Sequence, residues 1–236
     1  MEPLTPAPSG DPPIDLHPDA RWVVDLYAKM RSQWDEIGRP HPTPHPCFRD
    51  LPPSTRLQYE TLSWTNYQVL LDLFQYDESP FVMSPFKSRP KLDEYVAYQL
   101  VTGRYSGKRG SIDWFIRLHD GTKVGVLHLY DVNFELWDGK RFPCMCGYAI
   151  AQPYRRLGYA EEALHHLLSL LPTDYKLFEV QAEPLRTNDA SRALLEKTGF
   201  SFQKNSKNEW GLSALYYKKL VAEIPTLSFE ELDELY

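Results

Sequence analysis

Cysteine is scarce in this chain, basic residues are outnumbered, and no long apolar run occurs. The 236 residues include 3 cysteines, an odd number, two of them in the near-adjacent pair Cys144 and Cys146. That usage excludes a disulfide framework and points to reduced thiols. Lys and Arg total 26 against 32 Asp and Glu, a net charge of −6. A general nucleic-acid binder needs a basic face to neutralise phosphates, so that class is excluded. The acidic balance serves solubility and is compatible with a cationic, amine-bearing ligand. No stretch approaches the roughly 20 apolar residues of a membrane span, and the N-terminus lacks the basic-then-apolar pattern of a secretory signal. The expectation is a cytoplasmic protein with no membrane partner.

What is present is apolar bulk and proline. A hydrophobic content of 42% with 14% aromatics supports a sizeable buried core, and the length suits one domain with extensions. Twelve of the 20 prolines precede residue 54. Proline fixes φ and removes an amide donor, so these stretches are expected to be extended. Between them Trp22, Val23, Leu26, Tyr27, Met30 and Trp34 recur at helical spacing, predicting an amphipathic helix over about 18–37, with Pro18 in its first turn and Gly38 after its end. The expected organisation is an N-terminal extension over 1–54, a catalytic-sized domain over 55–222 and an acidic tail over 223–236.

From Arg56 onward strand and helix signals alternate. "RLQYETLS" alternates as a strand, "WTNYQVLLDLF" has helical periodicity, and "PKLDEYVAYQLVTG" predicts a helix ending at Gly103. "SIDWFIRLHDGTKVGVLHLYDV" predicts two strands around an Asp-Gly turn, and "FPCMCGYAIA" a third. A turn and helix over "QPYRRLGYAEEALHHLL" follow, then a strand "LFEVQAEP", a capped helix "NDASRALLEKTG" and a last strand "ALYYKKLV". This order predicts an α/β (α+β) sheet with at least one right-handed crossover.

Two junctions carry chemistry. In the first, Ala160, Ala163, Leu164, Leu167, Leu168 and Leu171 mark a buried helix face that Pro172 is expected to stop. Arg155, Arg156, Leu157, Gly158 and Tyr159 lead into that helix, so its unpaired N–H groups and positive dipole end would face outward beside two guanidinium groups. Such an end receives phosphate, and Gly158 lets the main chain approach a ligand closely. The same residues also describe an ordinary strand-to-helix turn. In the second junction Asn188 is a predicted N-cap, Ser191 lies three residues on, and Gly199 closes the helix.

Together, "CGYAIAQPYRRLGYAEEAL" and "NDASRALLEKTGF" resemble the GCN5-related N-acetyltransferases (GNAT). The family hallmark is a [Q/R]-x-x-G-x-[G/A] loop, here Arg155-x-x-Gly158-x-Ala160. Ala160 stands where many members have glycine. Asn188, Ser191, Glu196, Lys197, Gly199 and Phe200 are similar to the branch that acetylates ribosomal-protein N-termini, and the likeness spans about 55–220. The resemblance implies a splayed, mostly antiparallel sheet flanked by helices, with acetyl-coenzyme A as co-substrate. It implies main-chain bonds from the pantetheine arm around Ile150 and Ala151, and pyrophosphate on the amides of Arg155 to Ala160. It further implies that Asn188 contacts the pantetheine or a water, and that Ser191 lies near the sulfur.

Family members transfer acetyl directly within a ternary complex, so Cys144 and Cys146 are expected to pack rather than react. Glu183 and Glu135 are the candidate bases, with a water chain as the alternative. Ser191 is the candidate proton donor, and Tyr216 the other, with Tyr217 on the opposite sheet face. His41, His45 and Cys47 lack a complementary second ligand pair, so no metal is expected. One of His165 and His166 should be half-buried and the other exposed. "GRYSGKRGS" lacks P-loop spacing and reads as a connector. The expected function is acetylation of a primary amine by a monomer or homodimer; the alternative is a non-catalytic coenzyme A-binding sensor or assembly module.

Overall fold

In the computed structural model the described residues are 16–36, 47–103, 110–133, 141–208 and 211–223. Among them, seven strands form one sheet: β1 (Leu57–Thr61), β2 (Gly110–Leu118), β3 (Lys123–Val132), β4 (Cys144–Ile150), β5 (Glu179–Ala182), β6 (Ser201–Lys207) and β7 (Ser213–Leu220). The order across the sheet is β1-β2-β3-β4-β5-β7-β6. Every pair is antiparallel except β4 with β5, which is parallel and joined through a helix crossover. The helices are α1 (Pro18–Glu36), α2 (Val69–Phe74), α3 (Arg89–Ala97), α4 (Tyr159–Asp174) and α5 (Asp189–Lys197).

Two apolar layers lie on the two sheet faces. Alternation along β4 separates them: Cys144, Cys146 and Ile150 join the layer under α4 and α5, whereas Ala149 and Ala151 belong to the layer under α1, α2 and α3. The cores are sealed by large rings, Trp114 and Tyr175 in one and Phe74 and Phe86 in the other.

Several predicted elements shift. The segment "WTNYQVLLDLF" forms turns before α2, which is only 6 residues long, because the buried Asn66 side chain accepts the Ser63 N–H and donates to the Thr61 carbonyl instead of continuing a helix. Helix α4 continues through Pro172 to Asp174, since a proline one turn before a helix end leaves few amide bonds to break. Strand β6 escaped the periodicity reading. Six of its seven residues are exposed, so it has no apolar alternation to read.

The α1 stripe is also narrower than the sequence pattern suggests. Ala20 and Val23, with Leu16 ahead of the helix, are buried, whereas Trp22 and Leu26 stay exposed. The seam with α3 is pinned by Asp93, fully buried, which accepts the His17 N–H at 2.9 Å and the Arg89 Nε at 2.6 Å. Residues 1–15, 37–46 and 224–236, with Gly38, His41, His45 and the acidic tail, lie outside the described residues. Replacing Asp93 with alanine removes the carboxylate that receives the Arg89 guanidinium and the His17 amide. Chemical denaturation should show a loss of about 2–3 kcal/mol, and an unchanged midpoint would mean that α1 is not held by this contact.

Candidate active site

Among the described residues the one parallel joint of the sheet is brief. Strands β4 and β5 pair only at Cys144 with Val180 and Met145 with Gln181, then diverge. Beyond that point β4 is paired on its other edge alone, to β3. The Ala151 N–H donates to the Val124 carbonyl at 2.9 Å, and in-register pairs follow at Ala149 with Val126 and Gly147 with His128. Antiparallel bonding alternates, so Gly147, Ala149 and Ala151 turn their main-chain groups to β3 while Tyr148 and Ile150 turn theirs to the gap. Within that gap Arg155 Nε donates to the Ile150 carbonyl at 2.9 Å. The Ala151 carbonyl accepts the Tyr154 N–H. The open edge therefore consists of the Ile150 N–H and the Tyr148 main chain, one residue earlier than the sequence placed it.

At the mouth of the gap, the chain enters α4 through a left-handed turn. Gly158 is the N-cap at φ 83°, Arg156 sits at φ 62°, and no side chain caps the helix. The first-turn amides thus project with the positive helix end, as an anion site requires. A Cβ on Gly158 would lie 3.2 Å from the Arg56 guanidinium, in a backbone region that side chains rarely adopt. The helix carries its own acids here, and each has a cation. Glu161 pairs with Lys197 at 2.8 Å and Glu162 with Arg56 at 2.6 Å. Burial raises the Glu162 pKa, but the Arg56 amide, the Ser54 hydroxyl and the Arg56 guanidinium outweigh it and hold the carboxyl below its ordinary value.

The two predicted arginines separate in role. Arg155 is committed to the buried carboxylate of Asp77 and to the Ile150 carbonyl, so it braces the loop against α2. Arg156 is exposed and makes no ion pair among the described residues. Neither Asp77 nor Arg56 announced itself, because each is distant in sequence from the motif it supports. An open hollow of about 340 Å3 adjoins the loop on the α2 side, lined by Asp72, Tyr76, Asp77, Lys123 and Tyr154 among others. It lies beside Ala151, on the face away from α4.

Across the gap, α5 is capped as expected: the Asn188 side chain accepts the Ser191 N–H at 3.2 Å. The Ser191 hydroxyl lies 3.0 Å from the Tyr148 hydroxyl, a partner that the sequence reading missed. Burial pushes the Tyr148 phenol upward, and so it is protonated at neutral pH. Glu183 follows β5, and extending the β5–β7 register by one pair from Ala182 with Tyr217 places it opposite Tyr216. Tyr216 is raised first by burial and then by the neighbouring carboxylates of Glu179 and Glu183. Tyr217 faces the other layer, where its hydroxyl donates to Glu196 at 2.8 Å. Glu135 and the "RYSGKR" part of the connector lie outside the described residues.

Cys144 and Cys146 are buried, and burial drives both thiols up, Cys146 to about 12. Neither can supply a thiolate near neutral pH. His166 is half-buried, stacked on Tyr59 and 2.7 Å from the Pro52 carbonyl, and His165 is exposed. No group of three or more metal-ligating side chains occurs among the described residues.

The fold recurs in solved acetyltransferases. A ribosomal-protein alpha-N-acetyltransferase in complex with coenzyme A matches at TM-score 0.59 and 15% identity, over 73% of this chain and 98% of that one. A ribosomal-protein-alanine acetyltransferase from Vibrio fischeri matches at 0.58 and 10%, over 75% and 99%. A spermidine N-acetyltransferase variant from Vibrio cholerae matches at 0.57 and 13%, over 72% and 97%. Among curated proteins none matches the chain significantly. The family model described as "Acetyltransferase (GNAT) domain" matches residues 57–201. With its hallmark loop at the mouth of a parted β4–β5 joint, the chain belongs to the GNAT acetyltransferase family.

Proposed function

We propose that this protein transfers the acetyl group of acetyl-coenzyme A directly to a primary amine, within a ternary complex. The observation that carries the proposal is the parted β4–β5 joint opening beside the uncapped start of α4. The two features present unpaired amides to a pantetheine amide chain and to a pyrophosphate, the two polar stretches of one long ligand. The residues fit that ligand in their donor chemistry: the Ile150 N–H and Tyr148 main chain along the arm, and the amides from Arg156 to Ala160 at the phosphates, with Arg156 adding charge. Arg155 serves by fixing the loop.

For the transfer, the acceptor must lose a proton, since a lysine-type ammonium has a pKa of about 10.4. A fixed amide on β4 polarises the thioester carbonyl as negative charge develops there. The departing thiolate resembles a cysteine of pKa about 8.5, and the Ser191–Tyr148 hydroxyl pair supplies its proton. Tyr216 beside Glu183 is the other hydroxyl available to the gap. Asn188 acts by setting the start of α5 and so the position of Ser191. The ribosomal-protein and spermidine acetyltransferases that share this fold both act on amines, which supports an amine acceptor here.

Replacing Gly158 with valine adds a Cβ in a left-handed turn at the phosphate seat. Calorimetric titration should show coenzyme A affinity at least about tenfold weaker, and an unchanged affinity would remove the loop from the site. Ser191→Ala and Tyr148→Phe should each lower kcat about ten- to hundredfold with little change in the KM for acetyl-coenzyme A. If both turn over normally while Tyr216→Phe does not, the proton comes from Tyr216 instead.

A further inference from the structure

A buried polar cluster stands on the sheet face under α1, α2 and α3, level with the point where β4 and β5 part. Asp113 of β2 and His128 of β3 are cross-strand partners, 4% and 8% exposed. The Tyr95 hydroxyl of α3 donates to Asp113 Oδ1 at 2.9 Å. His128 Nδ1 lies 3.2 Å from the same oxygen, off the axis of a good hydrogen bond. No lysine or arginine pairs with this carboxylate among the described residues, so the positive charge nearest to it would be a protonated imidazole.

The ring reaches towards β4. His128 is directly opposite Gly147, and a Cβ on Gly147 would lie 2.6 Å from His128 Cδ2 and 2.9 Å from Nε2. Glycine at this position is what allows the imidazole to lie across the strand. Gly147 is the second residue past the Met145–Gln181 pair, so Nε2 lies over β4 where its β5 edge is no longer paired. Of the two ring nitrogens only Nδ1 is sealed from solvent without a hydrogen bond. A purely structural role does not require the histidine, because Tyr95 already ties α3 to Asp113.

We propose that His128 is the general base of the transfer, held and charge-stabilised by Asp113, with Tyr95 and Gly147 as positioning residues; this rests on the amine acetylation proposed above. Nε2 takes one proton from the acceptor ammonium and becomes imidazolium, which Asp113 stabilises. The freed nitrogen pair bonds to the thioester carbon, and the carbon–sulfur pair leaves as thiolate. That thiolate is protonated by the hydroxyl pair, which recovers the second proton from the newly bonded nitrogen. His128 returns its proton to solvent. Glu183 and Glu135, the bases expected from sequence, are not needed for this route.

The titratable groups around the imidazole are Asp113 of β2, Tyr95 of α3 and Tyr130 of β3, while β4 offers only Gly147. The test is the pH profile of kcat/KM for wild type and His128→Ala, with His128→Gln as the shape-conserving variant, read by coenzyme A thiol release with an amine. Near pH 7 both variants should be slower by about a hundredfold. The deficit should shrink as pH rises towards the acceptor pKa, where free amine no longer needs a base, with the KM for acetyl-coenzyme A unchanged. Asp113→Asn should show a smaller deficit of the same pH form. Full activity in either His128 variant, or a loss equal at every pH, overturns the assignment while leaving the acetylation standing. A folded wild type that releases no thiol with any amine overturns both.

Discussion

The site depends on a mismatch between two neighbouring strands. Parallel strands joined by a helix normally pair along their whole length, because an unpaired strand edge exposes amides and carbonyls that need partners. Here β4 and β5 pair at only two positions and part beyond them. The edge that results is a row of directed donors and acceptors. The β3 ladder fixes it from the other side. A ligand carrying amides can complete that edge, and the left-handed Gly158 turn aims the start of α4 at the same opening.

Electrostatics follow from this geometry. For a chain of net charge −6 to hold a polyanion, as proposed, the arrangement must be local. Lys197 and Arg56 cover the two glutamates of the α4 first turn, so the helix dipole and exposed amides are not opposed by bare carboxylates. Asp77 draws Arg155 to the α2 side, and that arginine then ties the Ile150 carbonyl to the loop. On the face under α1, α2 and α3 the balance reverses. Among the described residues Asp113 is buried without a lysine or arginine partner and Glu183 stands near Tyr216, an arrangement that agrees with the proposed amine acceptor.

Much of the fold was legible from local pattern. Strong alternation located β1 to β4, and the apolar face from Ala163 to Leu171 located α4. Strand β6 was not legible, because an edge strand exposed on both faces has no period to read. The Gly158 turn into α4 and the Asn188 cap could be read because their residues are contiguous. Arg56, Asp77, Tyr148 and the Asp113–His128 pair could not, since each acts through a partner that only the folded sheet brings near. The predicted α1 face fared similarly: Trp22 looks apolar and periodic, yet α3 takes Ala20 and Val23 as its contact.

The central claim is direct acetyl transfer to an amine at the β4–β5 gap, and rapid-quench analysis of a single turnover tests it most directly. With acetyl-coenzyme A alone, the protein should release no burst of thiol and carry no acetyl group by mass spectrometry. Adding an acceptor amine should release free coenzyme A and acetylated amine together in equal amounts. A thiol burst without amine, with acetyl found on Cys146, Ser191 or any other side chain, would contradict the account.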